Sequence, residues 1–576
     1  MSADSTGSKQ LGRRGLALGG LALLTGLLTF GVATPAQAAP DRSVTAGAQI
    51  PSGTFAFVNR MTIACSHHVA TSGNDGNGGT SLSSAWRTPA KAVASLQPGQ
   101  TACVHAGTYD VGTLDPRNSG TVTAPIALLG TPGEARPVLR STSDGNLLSF
   151  GPRDAYWVVQ GLDLNKNQRN GATVQVLGSP TSTADPTAGP AHHLAIRNSL
   201  IRDGKSGAAV LVRHAATDVL VEGNQIYGHH RWVSGSNVAY SRLDLTFLRD
   251  DANAINLEGT ATGQVTRIQV SGNHLHDNGG DGIQCIGVDD NSGAQSHDPS
   301  DLDAVDNRIN NNTEDAVDIK SCQRVGIRGS RSPELAGSAA ANKLYGYRPT
   351  DRSADRPGNH SGGGAIVVHY FARGVLVENT RIWDSCRGIS IGRQDKNGVQ
   401  DVIVRRTLVF SLVSGTDCPG IGLNLVLAQR VDIYNNTFTG IPGIAVRLAS
   451  DNGGSWSSND VDVANNVMET SGSGDWIDAY LPRLVGFESD RNLFWNADTS
   501  SSHLRLNFNR VSLPTWRTST GQDTTSRHGN PQWIDQPTLN DYYTNAGSPA
   551  RDAALPLAGT SFCGTGPDIG FRESGC

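Results

Sequence analysis

Lysine, methionine and long apolar runs are scarce in this sequence. Only seven of its 47 basic residues are Lys, three of its 576 residues are Met, aromatics make up 6% and charged residues 17%. Helices draw on Lys, Glu and Met, and Gly costs about 1 kcal/mol against Ala in a helix interior. With 68 Gly and 26 Pro, the composition excludes an ordinary helical protein and favours short strands joined by many turns. Gly and Pro together reach roughly 16%, below the roughly 25–30% that marks low-complexity disorder, so a large packed core is expected. After residue 38 no apolar run approaches the roughly 18 residues needed to span a bilayer. The mature chain is therefore expected to be soluble, with no membrane partner.

What is present begins with a leader. Lys9, Arg13 and Arg14 precede an apolar stretch over residues 15–32, and Ala36-Gln37-Ala38 follows as a small-x-small cleavage pattern. Residues 1–38 thus read as a secretory signal peptide cleaved after Ala38, by the general or the twin-arginine route, and the protein as secreted. The leader holds three basic residues and one acidic one, so its removal takes the net charge from −5 to −7. An acidic surface lacks the basic stripe that nucleic acid requires, which excludes that partner. All eight Cys lie beyond the leader, and an even count in an exported chain reads as disulfides. Cys65 with Cys103 and Cys563 with Cys576 are the local candidates. No CxxC or Cys/His spacing of zinc type occurs.

From about residue 155 one unit recurs: alternating apolar residues, an Asn or Gly turn, an apolar pair, another turn, another strand. Examples start at Val219-Leu-Val-Glu-Gly-Asn-Gln-Ile, Ile268-Gln-Val-Ser-Gly-Asn-His-Leu and Val431-Asp-Ile-Tyr-Asn-Asn-Thr-Phe. Period-2 runs with Asn/Gly punctuation mean short strands. Each repeat is one coil of a solenoid, buried only when its neighbours stack on it. The expected fold is all-β, a right-handed parallel β-helix, and the abundant Gly belongs to its turns. The predicted organisation is an N-terminal cap and first coils over 39–150, the β-helix over 151–500 and a C-terminal cap over 501–576. One amphipathic helix, 89–96, is expected to cover the first coil.

Laying the coils on Ala316-Val317-Asp318-Ile319-Lys320 by their inward residues gives two outward columns. One reads Leu211, Asn256, Gln284, Asp318, Val367, Ser390. The other reads Arg213, Glu258, Ile286, Lys320, His369, Gly392, Asn424, Arg447. The turns before these strands add Asp281, Glu314 and Asp315. Asp281, Glu314, Asp315 and Asp318 offer the several carboxylate oxygens that a hard cation such as Ca²⁺ takes. In the same alignment Cys386 and Cys418 share a column on adjacent coils about 4.8 Å apart, which predicts a third disulfide. Cys285 and Cys322 are offset by three positions and are left as a possible pair. Two excursions, 233–246 and 330–363, interrupt the repeat beside these coils. The second carries Tyr345, Tyr347 and Arg348, residues suited to an anionic sugar chain in the wall of a cleft.

The stretch Asn311-Asn312-Thr313-Glu314-Asp315-Ala316-Val317-Asp318-Ile319 resembles the calcium-binding coil of the family 9 pectate lyases. That resemblance implies calcium held by Glu314, Asp315 and Asp318, with Asp281 as a fourth ligand. It departs from the family where a catalytic Lys is due on a later coil, since His369 and Ser390 stand there. Lys320, just after the acidic turn, is more similar to the base of the family 6 lyases, the alginate lyases and chondroitinase B. There Asn256 and Glu314 would be metal ligands, and Arg373 or Arg393 the accompanying Arg. The segments 69–109 and 545–571 likewise resemble the ends of secreted β-helix carbohydrate-active proteins.

Either set of residues suits removal of the proton α to a uronate carboxylate, which needs that carboxylate neutralised and a base beside it. The expected activity is Ca²⁺-assisted β-elimination of a uronic-acid polysaccharide by a monomeric secreted lyase. Lys320, His369, Arg373 and Arg393 are its candidate catalytic residues, and Asn256, Glu258, Gln284 and Arg348 its candidate substrate contacts. Two alternatives remain open. Paired carboxylates, Asp281 with Asp318 or Asp315 with Glu258, would serve a glycoside hydrolase, and a non-catalytic glycan-binding protein would need no chemistry at all.

Overall fold

Three ladders of parallel strands build the molecule. The computed structural model describes residues 46–574 except 62, 179–188, 231–251, 262, 289–295, 332–339, 349–363, 394–397, 416–417, 449–456, 499–501, 535–541 and 558–561. The predicted leader, residues 1–38, therefore lies outside the described residues. Successive coils contribute strands to three sheets, of 14, 14 and 13 strands, in which each strand lies in parallel on its counterpart from the coil before, except that Asn509–Val511 at the end of the third sheet pairs antiparallel with Leu504–Leu506. One central coil illustrates the winding. Strand Gln323–Arg328 belongs to the first sheet, Asn342–Tyr345 to the second and Gly364–His369 to the third. The chain is a parallel β-helix, as the repeat predicts, and its coils begin well before residue 155, with Thr101–Val104 already in the first sheet.

The inward residues form one continuous core from Val69 to Trp516. A buried asparagine ladder runs along the corner between first and second sheets. Asn224, Asn273, Asn307 and Asn342 each accept, at the side-chain oxygen, the backbone N–H of the preceding coil's Asn or Ser. Their Nδ2 groups donate to carbonyls of an earlier coil, Ile196, Val221, Val270 and Ala304. The tight turn at that corner would otherwise leave those groups unpaired in the interior. A second ladder lies at the start of the first sheet. Asp218, Arg267, Asp301 and Arg324 stack on successive coils in left-handed backbone, φ 58°, 57°, 60° and 51°. Each Arg forks onto the Asp before it, Arg267 on Asp218 and Arg324 on Asp301.

The predicted helix is present as Pro89–Ser95, capped by Thr88, and buries Pro89, Ala92 and Val93 against the first coil. A helix at the other end, Leu513–Thr520, sets Trp516 into the core. The caps differ from expectation in one respect: chain beyond each helix runs along the solenoid instead of closing its end. Gly47 bonds Gly374, Gln49 bonds Asp301, and Phe57 packs on Ala127, Val158 and Ala195 of the first sheet. In the same way Phe571 packs on Leu408 and Phe410, and Leu555 bonds Asn465, on the second sheet. Cys65–Cys103 and Cys386–Cys418 are bonded as predicted, with Cα atoms 5.4 and 4.8 Å apart, and Cys285–Cys322 is bonded at 6.2 Å. Cys576 lies outside the described residues.

The strand register agrees with the columns read from sequence as far as Ser390 and corrects them beyond it. Ser390 pairs Asn424, which pairs Arg447, so these two belong to the Asp318 column, not the Lys320 column. The offset is already present where the pair begins, with Arg387 on Ile421 and Ile389 on Leu423, and a bulge at Ile391/Gly392, where Gly392 takes φ 84°, adds one further residue.

Candidate active site

The third sheet supplies the site. Strand Val317–Lys320 pairs Ile283–Ile286 on one side and Gly364–His369 on the other. Gln284, Asp318 and Val367 share one outward column, and Ile286, Lys320 and His369 the next. Two residues upstream of each strand's first inward residue lies a third column: Asn253, Asp281, Asp315, Gly364, Arg387. It is built as a ladder. Asn253 Oδ1 accepts the Asp281 N–H at 2.7 Å, Asp281 Oδ1 the Asp315 N–H at 2.8 Å, and Asp315 Oδ1 the Gly364 N–H at 3.1 Å. The fold thus needs an oxygen at each step, and carboxylates stand at two consecutive ones.

Asp281, Asp315 and Asp318 converge, with one ligand oxygen from each within 4.8 Å of the others, and all three are buried. Lys320 Nζ meets Asp318 Oδ2 at 2.7 Å. His369 Nε2 lies 2.9 Å from Asp318 Oδ1, a charge contact whose angle is poor for a hydrogen bond. Burial, with repulsion from Asp318 and Glu314, pushes Asp281 and Asp315 well above the usual carboxylate range. Burial acts to raise Asp318 also, but His369 and Lys320 hold it below that range. Burial alone would weaken the Lys320 ammonium; Asp318, Asp281 and Glu314 outweigh it and hold Lys320 above the usual lysine range.

The cluster is short of positive charge, and protons or a cation relieve the deficit. Its donors, three carboxylates with no nitrogen or sulfur among them, fit a hard ion such as Ca²⁺. Most of their oxygens also serve the protein, since Gln284 Nε2 donates to Asp281 Oδ2 at 3.0 Å and Lys320 occupies Asp318. Among the described residues Asp315 Oδ2 takes no hydrogen bond from a neighbour.

Several predicted residues fall elsewhere. Glu314 is outside the trio, although its charge acts on Asp281, Asp315 and Lys320. Gln284 is 4% exposed and holds Asp281, so it is internal and not a substrate contact. Arg373 opens the strand Arg373–Glu378 of the first sheet, around the corner from Lys320. Glu258 pairs with Arg213 at 3.6 Å. Asn256 stacks under Gln284 with its Oδ1 buried and, among the described residues, without a hydrogen-bond partner. Arg393 does reach the site's edge: its guanidinium lies 4.8 Å over the Tyr370 ring and donates to the Tyr370 hydroxyl, and that ring sits 4.4 Å from His369. Arg348 is ion-paired with Asp384 at the corner leading to the third sheet. The expected excursion 330–363 is broken by strand Asn342–Tyr345, and Tyr347 is buried, its hydroxyl accepting from Asn312 at 3.0 Å. Most of both excursions lies outside the described residues. Asn253 and Arg387 were missed, yet the column count that found Asp281 and Asp315 also reaches them. Among the described residues the Arg387 Nε is buried without a partner, and burial, with repulsion from Arg447, lowers this guanidinium despite Asp315.

The family model for "Right handed beta helix region" matches residues 253–468, in agreement with the three parallel sheets. The fold is a right-handed parallel β-helix. No curated protein sequence matches the chain. Among solved structures, a mannuronic acid specific family 6 polysaccharide lyase from human gut microbiota is 15% identical, over 75% of this chain and 90% of that one, with TM-score 0.47. A GH136 lacto-N-biosidase from Eubacterium ramulus is 12% identical, over 77% and 68%, with TM-score 0.41. The pectate lyase Pel9A is 12% identical, over 89% and 98%, with TM-score 0.30.

Proposed function

We propose that the chain is a secreted carbohydrate-active enzyme that cleaves a uronic-acid polysaccharide by Ca²⁺-assisted β-elimination. One observation carries the reading: on the third sheet the acids are buried behind, and the groups in front of them are Lys320, His369 and, through Tyr370, Arg393. A face of that kind receives an anionic sugar and can take a proton from it. Lys320, held as an ammonium by Asp318, neutralises the uronate carboxylate and so acidifies the adjacent C–H. His369 is then the proton acceptor. With Nε2 turned to Asp318, Nδ1 is the nitrogen left for this, and the Asp318 carboxylate steadies the imidazolium that forms. The C–H electron pair becomes the C4–C5 double bond, the C4–O glycosidic bond breaks, and the departing oxygen takes up a proton. Asp281, Asp315 and Asp318 would hold the calcium, whose bound charge supplies Lewis-acid polarisation of the substrate carboxylate.

A glycoside hydrolase is the second reading, favoured by proton affinities pushed apart among neighbouring acids, Asp315 up and Asp318 down, as an acid and base pair requires. Incubation with pectate, alginate and glycosaminoglycans, with and without chelator, separates the readings. Elimination predicts ultraviolet absorbance from an unsaturated uronate, lost with chelator. New reducing ends without that absorbance would establish hydrolysis, and no cleavage of any polymer would leave a binding protein.

A further inference from the structure

Several charged columns in this solenoid alternate in sign, whereas Asp432, Asp462 and Glu488 on the first sheet stack acid on acid. Asp218, Arg267, Asp301 and Arg324 alternate on the first sheet, as do Arg328, Glu378 and Arg405, and Arg447, Asp478 and Arg505 do so on the third. The second sheet carries a column of like basic residues. Its outward column reads His274, Arg308, Lys343, Arg381 on four consecutive coils. Strands sit about 4.8 Å apart, and like charges placed directly opposite one another destabilise a sheet. Arg308 is exposed and Lys343 half-exposed, and neither has an ion pair among the described residues; Arg308 donates instead to the Tyr345 hydroxyl at 2.6 Å. Burial, then Arg381 and Arg308, lower the Lys343 ammonium, with Asp306 the one acid opposing them. Alongside runs a second column, Tyr345 stacked on Trp383 at 4.4 Å. The C-terminal segment covers this face over Leu408 and Phe410, and Arg381 beside them is 3% exposed. Arg308, Lys343 and Tyr345 lie on the coils before that cover begins.

We infer that the outer face of the second sheet, around Arg308, Lys343 and Tyr345, is a binding site for an anionic polysaccharide, separate from the third-sheet site. Its cations repeat at the strand spacing, about 4.8 Å, comparable to the advance of one sugar ring, so successive acidic sugars meet successive coils. A net charge of −5 disfavours nucleic acid as the polyanion. The site would hold polymer against the molecule whatever chemistry the third sheet performs.

Affinity electrophoresis of the whole protein through gels containing polygalacturonate, dextran sulfate or neutral dextran tests this. We expect retardation by at least one of the two polyanions and none by dextran. It should be lost in Arg308→Ala/Lys343→Ala and kept in Lys320→Ala/His369→Ala, with circular dichroism confirming that both are folded. Unchanged retardation of the first variant would overturn the proposal, as would loss in the second alone, or retardation by duplex DNA but by neither polyanion. Turnover of a short soluble oligosaccharide should be unaffected by the first variant, so failure of this site and failure of the third-sheet reading give different results.

Discussion

His369 and Lys320 face the same carboxylate but do different things to it. If His369 takes the proton, His369→Asn should cut kcat about 10²–10⁴-fold with little change in folding, whereas Lys320→Arg, which keeps the charge, should retain part of the activity. Steady-state kinetics on whichever polymer is cleaved would check both. The acids behind them make a second prediction. Asp281 and Asp315 bind protons more tightly folded than unfolded. Between the ordinary carboxylate range and their raised native values, the unfolded chain therefore carries fewer protons than the native one. Stability of the metal-free protein should thus be highest at acid pH and fall as pH rises toward neutrality. Calorimetry in chelator should show that decline, Asp281→Asn should flatten it, and added Ca²⁺ should reverse it.

At the level of strands and corners, the asparagine ladder is the element whose loss is most sharply defined. Asn273→Ala removes the acceptor for the Asn224 N–H and the donor to Val221, both buried, for about 1–3 kcal/mol each. Denaturant melts should show a cost of that size, larger than for an exposed Asn. The ladder and the strands were legible beforehand because both are periodic: an Asn repeats before an apolar pair, and inward residues repeat at every second position. The same periodicity led to Asp281, Asp315 and Asp318. It failed where the period breaks. Asn424 and Arg447 lie on Ser390 and not on Gly392 because the strand pair is offset by two positions from its start, Arg387 on Ile421, and a corner separates Arg373 from the site strand that ends at His369, although only three residues lie between those two. It also could not tell facing from burial, so Gln284 was read as a contact on the groove when its amide is spent on Asp281.

The molecule as a whole is a stack held by nearest neighbours, with three disulfides among the described residues tying adjacent coils at chosen levels. Cys285–Cys322 closes 37 residues around the coil that carries Asp315, Asp318 and Lys320. Replacing both Cys by Ala should cost about 3–4 kcal/mol by chain entropy and show as a reduced melting temperature and reduced activity together. Opening Cys65–Cys103 at the first coil should loosen that end with less effect on turnover. Stacking has a further outcome. Residues 231–251 fall between strands Gln225–Tyr227 and Ile255–Glu258, yet the coils on either side are joined along all three sheets: Val210–Arg213 to Ile255–Glu258, Thr217–Glu222 to Thr266–Ser271, and Gln225–Tyr227 to His274–His276. A break in the chain between Tyr227 and Ile255 leaves the three strand pairs as they are. The nicked protein should travel as one particle under native conditions, and its halves, made as separate polypeptides, should recognise each other and reassemble.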